Sequence, residues 1–274
     1  MINREYLKST KPVYISKYIY RFFAFQLKLL MTNLSDWREN RSEVNEPVPP
    51  ARLRHRVHGG LDKSSFLNLG KILATDIKSL CKLGGKELYS YEYVLDFGCG
   101  SGRVIRNFQG APLSCKMFGT DIDSELISWC SKNLLNVDWK TNDYLPPLSY
   151  EDNSFDLIYA ISVFTHLDEE YQHAWLKELQ RIAKPGATII LSVHGEFCIN
   201  LLPKQRQQQV YESGFGYMQG PTGWLKLDKL PDFYQTSFHT EQYIYNVWSK
   251  YFEITHYIKR GINNHQDAII LKAH

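Results

Sequence analysis

The stretch 94–103 constrains the fold of this chain more than any other feature, because it places a carboxylate and a series of glycines directly after an apolar run. Asp96 closes the apolar run, and glycines follow at every second position, at Gly98, Gly100 and Gly102. Glycine permits a positive φ and lets backbone N–H groups approach a ligand closely. The stretch therefore predicts a strand, a tight turn and a helix N-terminus that together form a binding loop.

A second carboxylate, Asp121, closes the apolar run 117–120. An acidic side chain at the end of a second strand is placed to bind the two hydroxyls of a ribose. Further strands are predicted at 137–139, 155–160, 187–193, 251–257 and 267–272. Strands that alternate with helices favour a parallel sheet covered on both faces. We therefore expect an α/β domain with a seven-stranded, mostly parallel sheet.

Taken in order, these motifs resemble the class I S-adenosylmethionine-dependent methyltransferase family. The resemblance is close over 90–196 and looser over 252–271. It implies a Rossmann-like fold, S-adenosyl-L-methionine as cofactor and S-adenosyl-L-homocysteine as product. The residues that it implies for the methionine end of the cofactor are Asp96, Gly98, Cys99, Gly100, Gly102 and Arg103. Those for the ribose, the adenine and the sulfonium are Asp121, Ile122, Asn142, Asp143, Ala160 and Ile161.

A nicotinamide dehydrogenase is the competing interpretation of the glycine loop. Its fingerprint is G-x-G-x-x-G, and here Arg103 stands where the third glycine would be. Asp143 and the turn 184–186 favour the methyltransferase. A noncatalytic cofactor-binding or regulatory domain of the same fold is a third alternative, because a fold does not fix a reaction.

The chain is too long for the sheet domain alone. Residues 1–90 are predicted to form a helical N-terminal cover, which includes a helix over 64–82, and residues 91–274 the methyltransferase domain. Within that domain, 197–247 breaks the alternation of strands and helices and is rich in glycine and aromatic residues. We expect an irregular insertion on the acceptor side, between the fifth and sixth strands, with a short helix at 241–248.

Three histidines follow strands on the expected ligand side. We rank His265 first as a catalytic base, then His194 and His166, because histidine titrates near working pH. The candidates for contact with the acceptor are Arg54, Arg56, His58, Trp224, Tyr234 and Asn264.

The aromatic insertion favours a ring or a sugar face as the acceptor. The predicted reaction is methyl transfer to a hydroxyl or carboxylate oxygen of a small metabolite or saccharide. Transfer to a nitrogen of a small molecule is the alternative, which is disfavoured because no Asn-Pro-Pro-Tyr or Asp-Pro-Pro-Tyr follows the fourth strand.

The composition limits the partners and the cellular location that we expect for the protein. A net charge of +3 does not by itself indicate nucleic acid. The five cysteines form no C-x-x-C pair, so we predict no metal site and a reducing, cytoplasmic location. No secretory signal and no transmembrane segment is expected. The stretch 13–31 is predicted to be an amphipathic helix that packs on the core domain or on the second subunit of a homodimer, with peripheral membrane contact as the alternative.

Overall fold

The computed structural model describes residues 12–39, 47–108, 110, 112–218 and 235–274. The chain divides into two compact units, Met1–Phe66 and Leu67–His274. The division falls within a helix at 63–83. Leu73, Ile77 and Leu80 of this helix belong to the core of the second unit. The boundary near 90 stays a prediction.

The first unit is helical. Its helices are α1 (Pro12–Glu39), α2 (Ala51–His58) and the first turn of α3 (Lys63–Leu83). The apolar side chains of α1 that are more than half exposed include Tyr20, Phe23, Leu27, Leu30 and Met31. Among the residues that the structure describes, no helix has the length and apolar character needed to cross a bilayer.

A seven-stranded sheet forms the second unit. Its strands are β1 (Tyr93–Phe97), β2 (Lys116–Asp121), β3 (Val137–Thr141), β4 (Phe155–Ala160), β5 (Ala183–Val193), β8 (Glu253–Ile262) and β9 (Gln266–Lys272), while β6 and β7 lie outside it. The order is β3-β2-β1-β4-β5-β9-β8. The first five strands are parallel to one another, and β9 is antiparallel to both of its neighbours. The predicted fold class is confirmed.

Both faces of the sheet are buried, and alternate residues of each strand supply the two cores. Val94 and Leu157 pack on one face with α3, while Leu95 and Ile158 pack on the other. This follows from the two-residue period of a strand. Nearly continuous apolar strands are typical of a parallel sheet that has helices on both sides. The helices of this unit besides α3 are α4 (Ser124–Asn133), α5 (Glu169–Ile182), α6 (Glu196–Asn200), α7 (Lys204–Ser213) and α8 (Glu241–Trp248).

One expectation about local structure was wrong. The glycine loop does not open an α-helix; turns and a 3₁₀ segment, Ile105–Phe108, follow it.

The described part of the insertion is more regular than predicted. It contains α6, α7, the two-stranded antiparallel sheet of β6 (Phe215–Met218) and β7 (Thr236–His239), and α8, whose bounds match the prediction. Its own small core includes Ile199, Val210 and Phe238. Residues 219–234 lie outside the described part of the chain.

Candidate active site

The glycine loop lies at the carboxyl end of β1, beside the carboxyl end of β2. The backbone N–H groups of Gly98 and Cys99 both donate to the Thr120 carbonyl, at 2.8 and 3.0 Å. Gly98, Gly100 and Gly102 all have a positive φ. At Gly98 a Cβ would also overlap the side chain of Val163, so only glycine fits this position. The loop is therefore a close-packed cradle of backbone.

Asp121 connects this loop to the end of β2. One carboxylate oxygen accepts from the Gly100 N–H at 2.8 Å, and the other accepts from the Asp123 N–H at 2.9 Å. Burial raises the pKa of Asp121 to about 6, although these backbone N–H groups oppose the shift. A carboxylate oxygen accepts more than one hydrogen bond. The position predicted to bind a ribose is thus held rigidly and keeps acceptor capacity.

Asp96 is buried at the end of β1. It is 3% exposed, and among the described residues its Oδ2 atom has no hydrogen-bond partner of good geometry. Burial raises the pKa of Asp96 to about 7; the Tyr159 hydroxyl, which lies near it on β4, and Arg103 lower this pKa, and Asp121 raises it further. A carboxylate accepts several hydrogen bonds, so Asp96 keeps acceptor capacity for a ligand.

The end of β3 is held to β2. Thr120 donates its hydroxyl to Asn142 Oδ1 at 2.8 Å, and the Asn142 amide donates to the Asp143 carbonyl at 2.8 Å. Asn142 therefore shapes this loop through its side chain, and Asp143 is exposed. An exposed carboxylate here is consistent with the predicted contact to an adenine amino group.

The sequence analysis missed a polar cluster at the ends of β4, β5 and β9. The Ser162 N–H donates to Ser192 Oγ, and Gln266 binds both serine hydroxyls, each at 2.8 Å. Ser162 has a φ of 60° directly after the Ala160–Ile161 pair. A positive φ outside glycine often marks a functional site. The signal in the sequence was only a serine after an apolar strand, which is too common to single out.

The structure brings His166, His194 and His265 together. The ring centroids of His166 and His194 are 6.5 Å apart, and those of His194 and His265 are 6.2 Å apart. Strand β7 positions two of them, because His166 Nδ1 contacts the Gln235 carbonyl at 2.6 Å and His194 Nδ1 contacts the Ser237 carbonyl at 3.1 Å. A carbonyl only accepts, so each Nδ1 carries the proton.

Burial sets the charge of this cluster. It lowers the pKa of His166 and of His194 to about 4, and the neighbouring histidines lower that of His194 further. Both rings are therefore neutral at pH 7. A neutral imidazole accepts a proton or binds a metal through its remaining lone pair.

Arg54 is one of the residues that the sequence analysis assigned to contact with the acceptor. Arg54 is 1% exposed and donates to Asp36 and to the carbonyls of Pro49 and Leu61, so it braces the first unit and does not face a cleft. Its assignment to substrate was therefore wrong.

The other acceptor contacts stay predictions. In the first unit, Arg56 is partly buried and His58 contacts Ser65 Oγ at 2.8 Å. Asn264 is exposed next to His265, in the turn between β8 and β9. Trp224 and Tyr234 lie outside the described residues.

Comparison with known proteins identifies the domain. Residues 94–186 match the family model of a methyltransferase domain. Residues 94–186 thus belong to a class I S-adenosylmethionine-dependent methyltransferase domain. The match covers β1 to the start of β5, which includes the glycine loop, Asp121 and the end of β4. The nicotinamide alternative is thereby set aside.

Similar proteins carry the same fold. A release factor glutamine methyltransferase from Buchnera aphidicola subsp. Baizongia pistaciae is 27% identical over 145 residues, which are 52% of this chain and 50% of that protein. The chain thus matches about half the length of this curated relative. A methyltransferase structure from Aquifex aeolicus is 17% identical with a TM-score of 0.50, over 78% of this chain and 99% of that one. One from Mesorhizobium loti is 13% identical with a TM-score of 0.50, over 71% and 96%.

The cofactor of this domain is S-adenosylmethionine, and the residues present fit it. The buried Asp96 carboxylate is an acceptor for an ammonium group, and glycine at positions 98, 100 and 102 leaves the backbone of the loop uncovered by side chains. Asp121 supplies acceptors for hydroxyl groups. Each predicted cofactor residue from Asp96 to Asp143 lies at the end of β1, β2 or β3, or in the loop that follows.

Proposed function

We propose that this protein transfers the methyl group of S-adenosylmethionine to an oxygen atom of a small metabolite or a saccharide. The observation that carries the proposal is the juxtaposition of the glycine loop, Asp96 and Asp121 at one edge of the sheet with a cluster of histidines beyond β4 and β5. Ligands of open parallel sheets bind at this carboxyl edge.

The cofactor supplies an electrophilic methyl group on a sulfonium, and the chain has two remaining tasks. It aligns the acceptor oxygen with the methyl group, and it excludes water. In our proposal Asp96, Asp121 and the glycine loop orient the cofactor, while Ala160 and Ile161 line the side of the reacting centre. Ser162, held by Ser192 and Gln266, fixes the backbone just beyond them.

A hydroxyl acceptor also has to lose a proton. His265, His194 and His166 are the candidates for the base, in that order of preference from the sequence. The neutral form of His194 favours this role, because its Nδ1 proton is directed at the Ser237 carbonyl and its Nε2 lone pair remains. A carboxylate acceptor would need no base, and the histidines would then only position it.

Transfer to nitrogen is the second candidate function. The curated relative is named for glutamine methylation, which favours a nitrogen acceptor. Against it, the residues after β4 are Ile161 to Phe164 and contain no Asn-Pro-Pro-Tyr. An acceptor screen read by mass spectrometry, with the methylated atom located by fragmentation, distinguishes the two.

We also propose a cytoplasmic location, since all five cysteines are free and buried. Neither this location, nor peripheral membrane contact through 13–31, nor a homodimer is required for the chemistry.

The test of cofactor binding is Asp121→Ala. Hydrogen bonds to a charged group contribute roughly 1.5–3 kcal/mol, so we expect affinity for S-adenosylhomocysteine to fall about 10- to 150-fold by titration calorimetry. Asp138→Ala is the matched control, because Asp138 is an exposed carboxylate on the neighbouring strand β3. A surface substitution of this kind is usually within about 0.5 kcal/mol of the parent in stability. Equal affinities of the two folded variants would contradict the assignment.

A further inference from the structure

A cysteine lies between two of the histidines, and the sequence analysis gave it no role. His194 follows β5, Cys198 lies on α6 four residues later, and His265 follows the turn between β8 and β9. One ligand atom from each residue lies within 4.8 Å of the other two. Cys198 Sγ and His265 Nε2 are 3.6 Å apart.

We propose that His194, Cys198 and His265 form a zinc site. Two imidazole nitrogens and one thiolate are a donor set that zinc prefers, with bonds of about 2.0–2.1 Å to nitrogen and 2.3 Å to sulfur. In a tetrahedral site these bond lengths place two ligand atoms roughly 3.5 Å apart. The observed separation of sulfur and nitrogen already has this value.

The histidines are arranged for this role. His194 donates its Nδ1 proton to the Ser237 carbonyl at 3.1 Å, which fixes the ring and leaves Nε2 as the ligand atom. A metal-binding imidazole usually donates its other ring N–H to a carbonyl or carboxylate in this way, which fixes the orientation of the ring. His265 is exposed, so its side chain can move by the short distance that closes the site.

The backbone presents the three side chains from short, fixed segments. Asn263 and Asn264 have φ values of 49° and 50°, and the His265 N–H donates to the Ile262 carbonyl at 3.0 Å. A positive φ at both central residues together with this hydrogen bond defines a tight β-turn, which sets the position of His265 as its last residue. On the other side, the Ile199 N–H donates to the Gly195 carbonyl at 3.0 Å, so Cys198 lies within a formed helical turn.

Binding balances as an exchange of a proton for the metal. Cys198 loses its thiol proton to solvent, both imidazoles bind in their neutral form, and no redox change occurs. With zinc bound, His194 and His265 are ligands and no longer bases, and the three protein ligands leave the fourth position of the ion open to water or to an acceptor oxygen. That last role rests on the proposed function, whereas metal binding itself does not.

The experiment uses the full chain, stripped with a chelator and titrated with zinc against a chromophoric competitor. We expect one equivalent of zinc per chain. The variants Cys198→Ser, His194→Gln and His265→Gln should each weaken binding by at least about 100-fold, because loss of an outer-shell partner alone costs 10- to 100-fold. Cys115→Ser and His256→Gln are the matched controls, since they remove the same atom types away from the cluster and should bind zinc like the parent chain.

Cobalt substitution supplies a second readout. Bound Co²⁺ should show a thiolate-to-metal charge-transfer band that is absent in Cys198→Ser. No zinc uptake by the parent chain, or equal uptake by the folded His265→Gln variant, would overturn the proposal. Titration of the same samples with S-adenosylhomocysteine keeps a failure of the metal site distinguishable from a failure of the methyltransferase function.

Discussion

Gly98 is the position in the cofactor loop that least tolerates a side chain, because its φ is positive and the side chain of Val163 lies where a Cβ would be. We expect Gly98→Ala to destabilise the protein by about 2 kcal/mol or more, since a strained backbone position alone costs 1–3 kcal/mol. Cofactor affinity should fall at least tenfold in a calorimetric titration, because the loop has to move away from Val163.

Gly85→Ala is the control for that substitution. Gly85 also has a positive φ, of 96°, but a Cβ there would have nothing within 4 Å. It should lose stability by strain alone and keep its affinity for the cofactor. The double variant Gly98→Ala, Val163→Ala should recover part of the affinity; a double variant no better than Gly98→Ala would contradict the steric explanation.

Asp96 makes cofactor binding dependent on pH. Burial raises the pKa of Asp96 to about 7, so the carboxylate that would bind an ammonium group is mostly protonated at pH 6. If only the charged form binds, S-adenosylhomocysteine should bind about tenfold more weakly at pH 6 than at pH 8. Calorimetry at both pH values checks this.

Asp96→Asn is the variant that isolates the effect. It should bind weakly at both pH values and lose most of the dependence on pH. The same profile in the variant and in the parent chain would mean that another group is responsible. Asp121, whose pKa burial raises to about 6, is the group to examine next.

At the scale of elements, the central strands β1, β2, β4, β5 and β9 were predictable because each carries a short apolar run. Strand β4 and helix α8 have the predicted bounds. The two-residue period of buried strands and the short apolar run of α8 are local signals, so one sequence contains them.

Other elements depend on contacts that a sequence does not display. The segment after the glycine loop forms a 3₁₀ turn at 105–108, although its composition suits a helix. The cysteine of the proposed zinc site was missed because Cys198 and His265 are 67 residues apart. The order of β9 and β8 in the sheet brings them together, and a spacing rule for metal ligands cannot detect this.

Arg54 shows how one residue can organise several elements. Its guanidinium joins α1, through Asp36, to the carbonyls of Pro49 and Leu61 on either side of α2. Arg54→Met removes one charge and leaves Asp36 and two carbonyls without their donor. Breaking a buried pair costs about 3 kcal/mol or more. We expect faster hydrogen exchange of the α2 amides and a lower midpoint for unfolding of the first unit in urea.

Arg52→Met is the comparison for Arg54→Met. Arg52 is exposed on the same helix, and a surface substitution of this kind is usually within about 0.5 kcal/mol of the parent. Similar exchange rates in the two variants would show that the Arg54 network does not stabilise the first unit.

At the scale of the whole molecule, two sets of buried groups make the stability depend on pH in opposite directions. Burial lowers the pKa of His239 to about 3 and those of His166 and His194 to about 4. Unfolded histidine takes up a proton below about pH 6.5, so these groups destabilise the fold as pH falls from there. Asp96 and Asp121 have raised pKa values and take up protons in the folded state first, so they stabilise it over the same range.

Because the two sets oppose each other, the dependence of stability on pH in the parent chain does not show which group causes it. A variant of His239 isolates the effect of one group. His239 is fully buried, and its Nε2 contacts Gln172 Oε1 at 3.0 Å. Burial of this ring should lower the free energy of unfolding by about 2 kcal/mol between pH 7.5 and pH 5. Protonation stabilises the unfolded histidine by roughly 1.4 kcal/mol for each pH unit below 6.5, and the buried ring does not take up the proton. His239→Gln should therefore be less stable than the parent at pH 7.5 and lose about 2 kcal/mol less on acidification, measured by urea unfolding at both pH values. His274→Gln, at the exposed C-terminus, is the control and should lose as much stability on acidification as the parent chain. If His239→Gln also lost as much stability as the parent, the buried His239 ring would not be the group that links stability to pH.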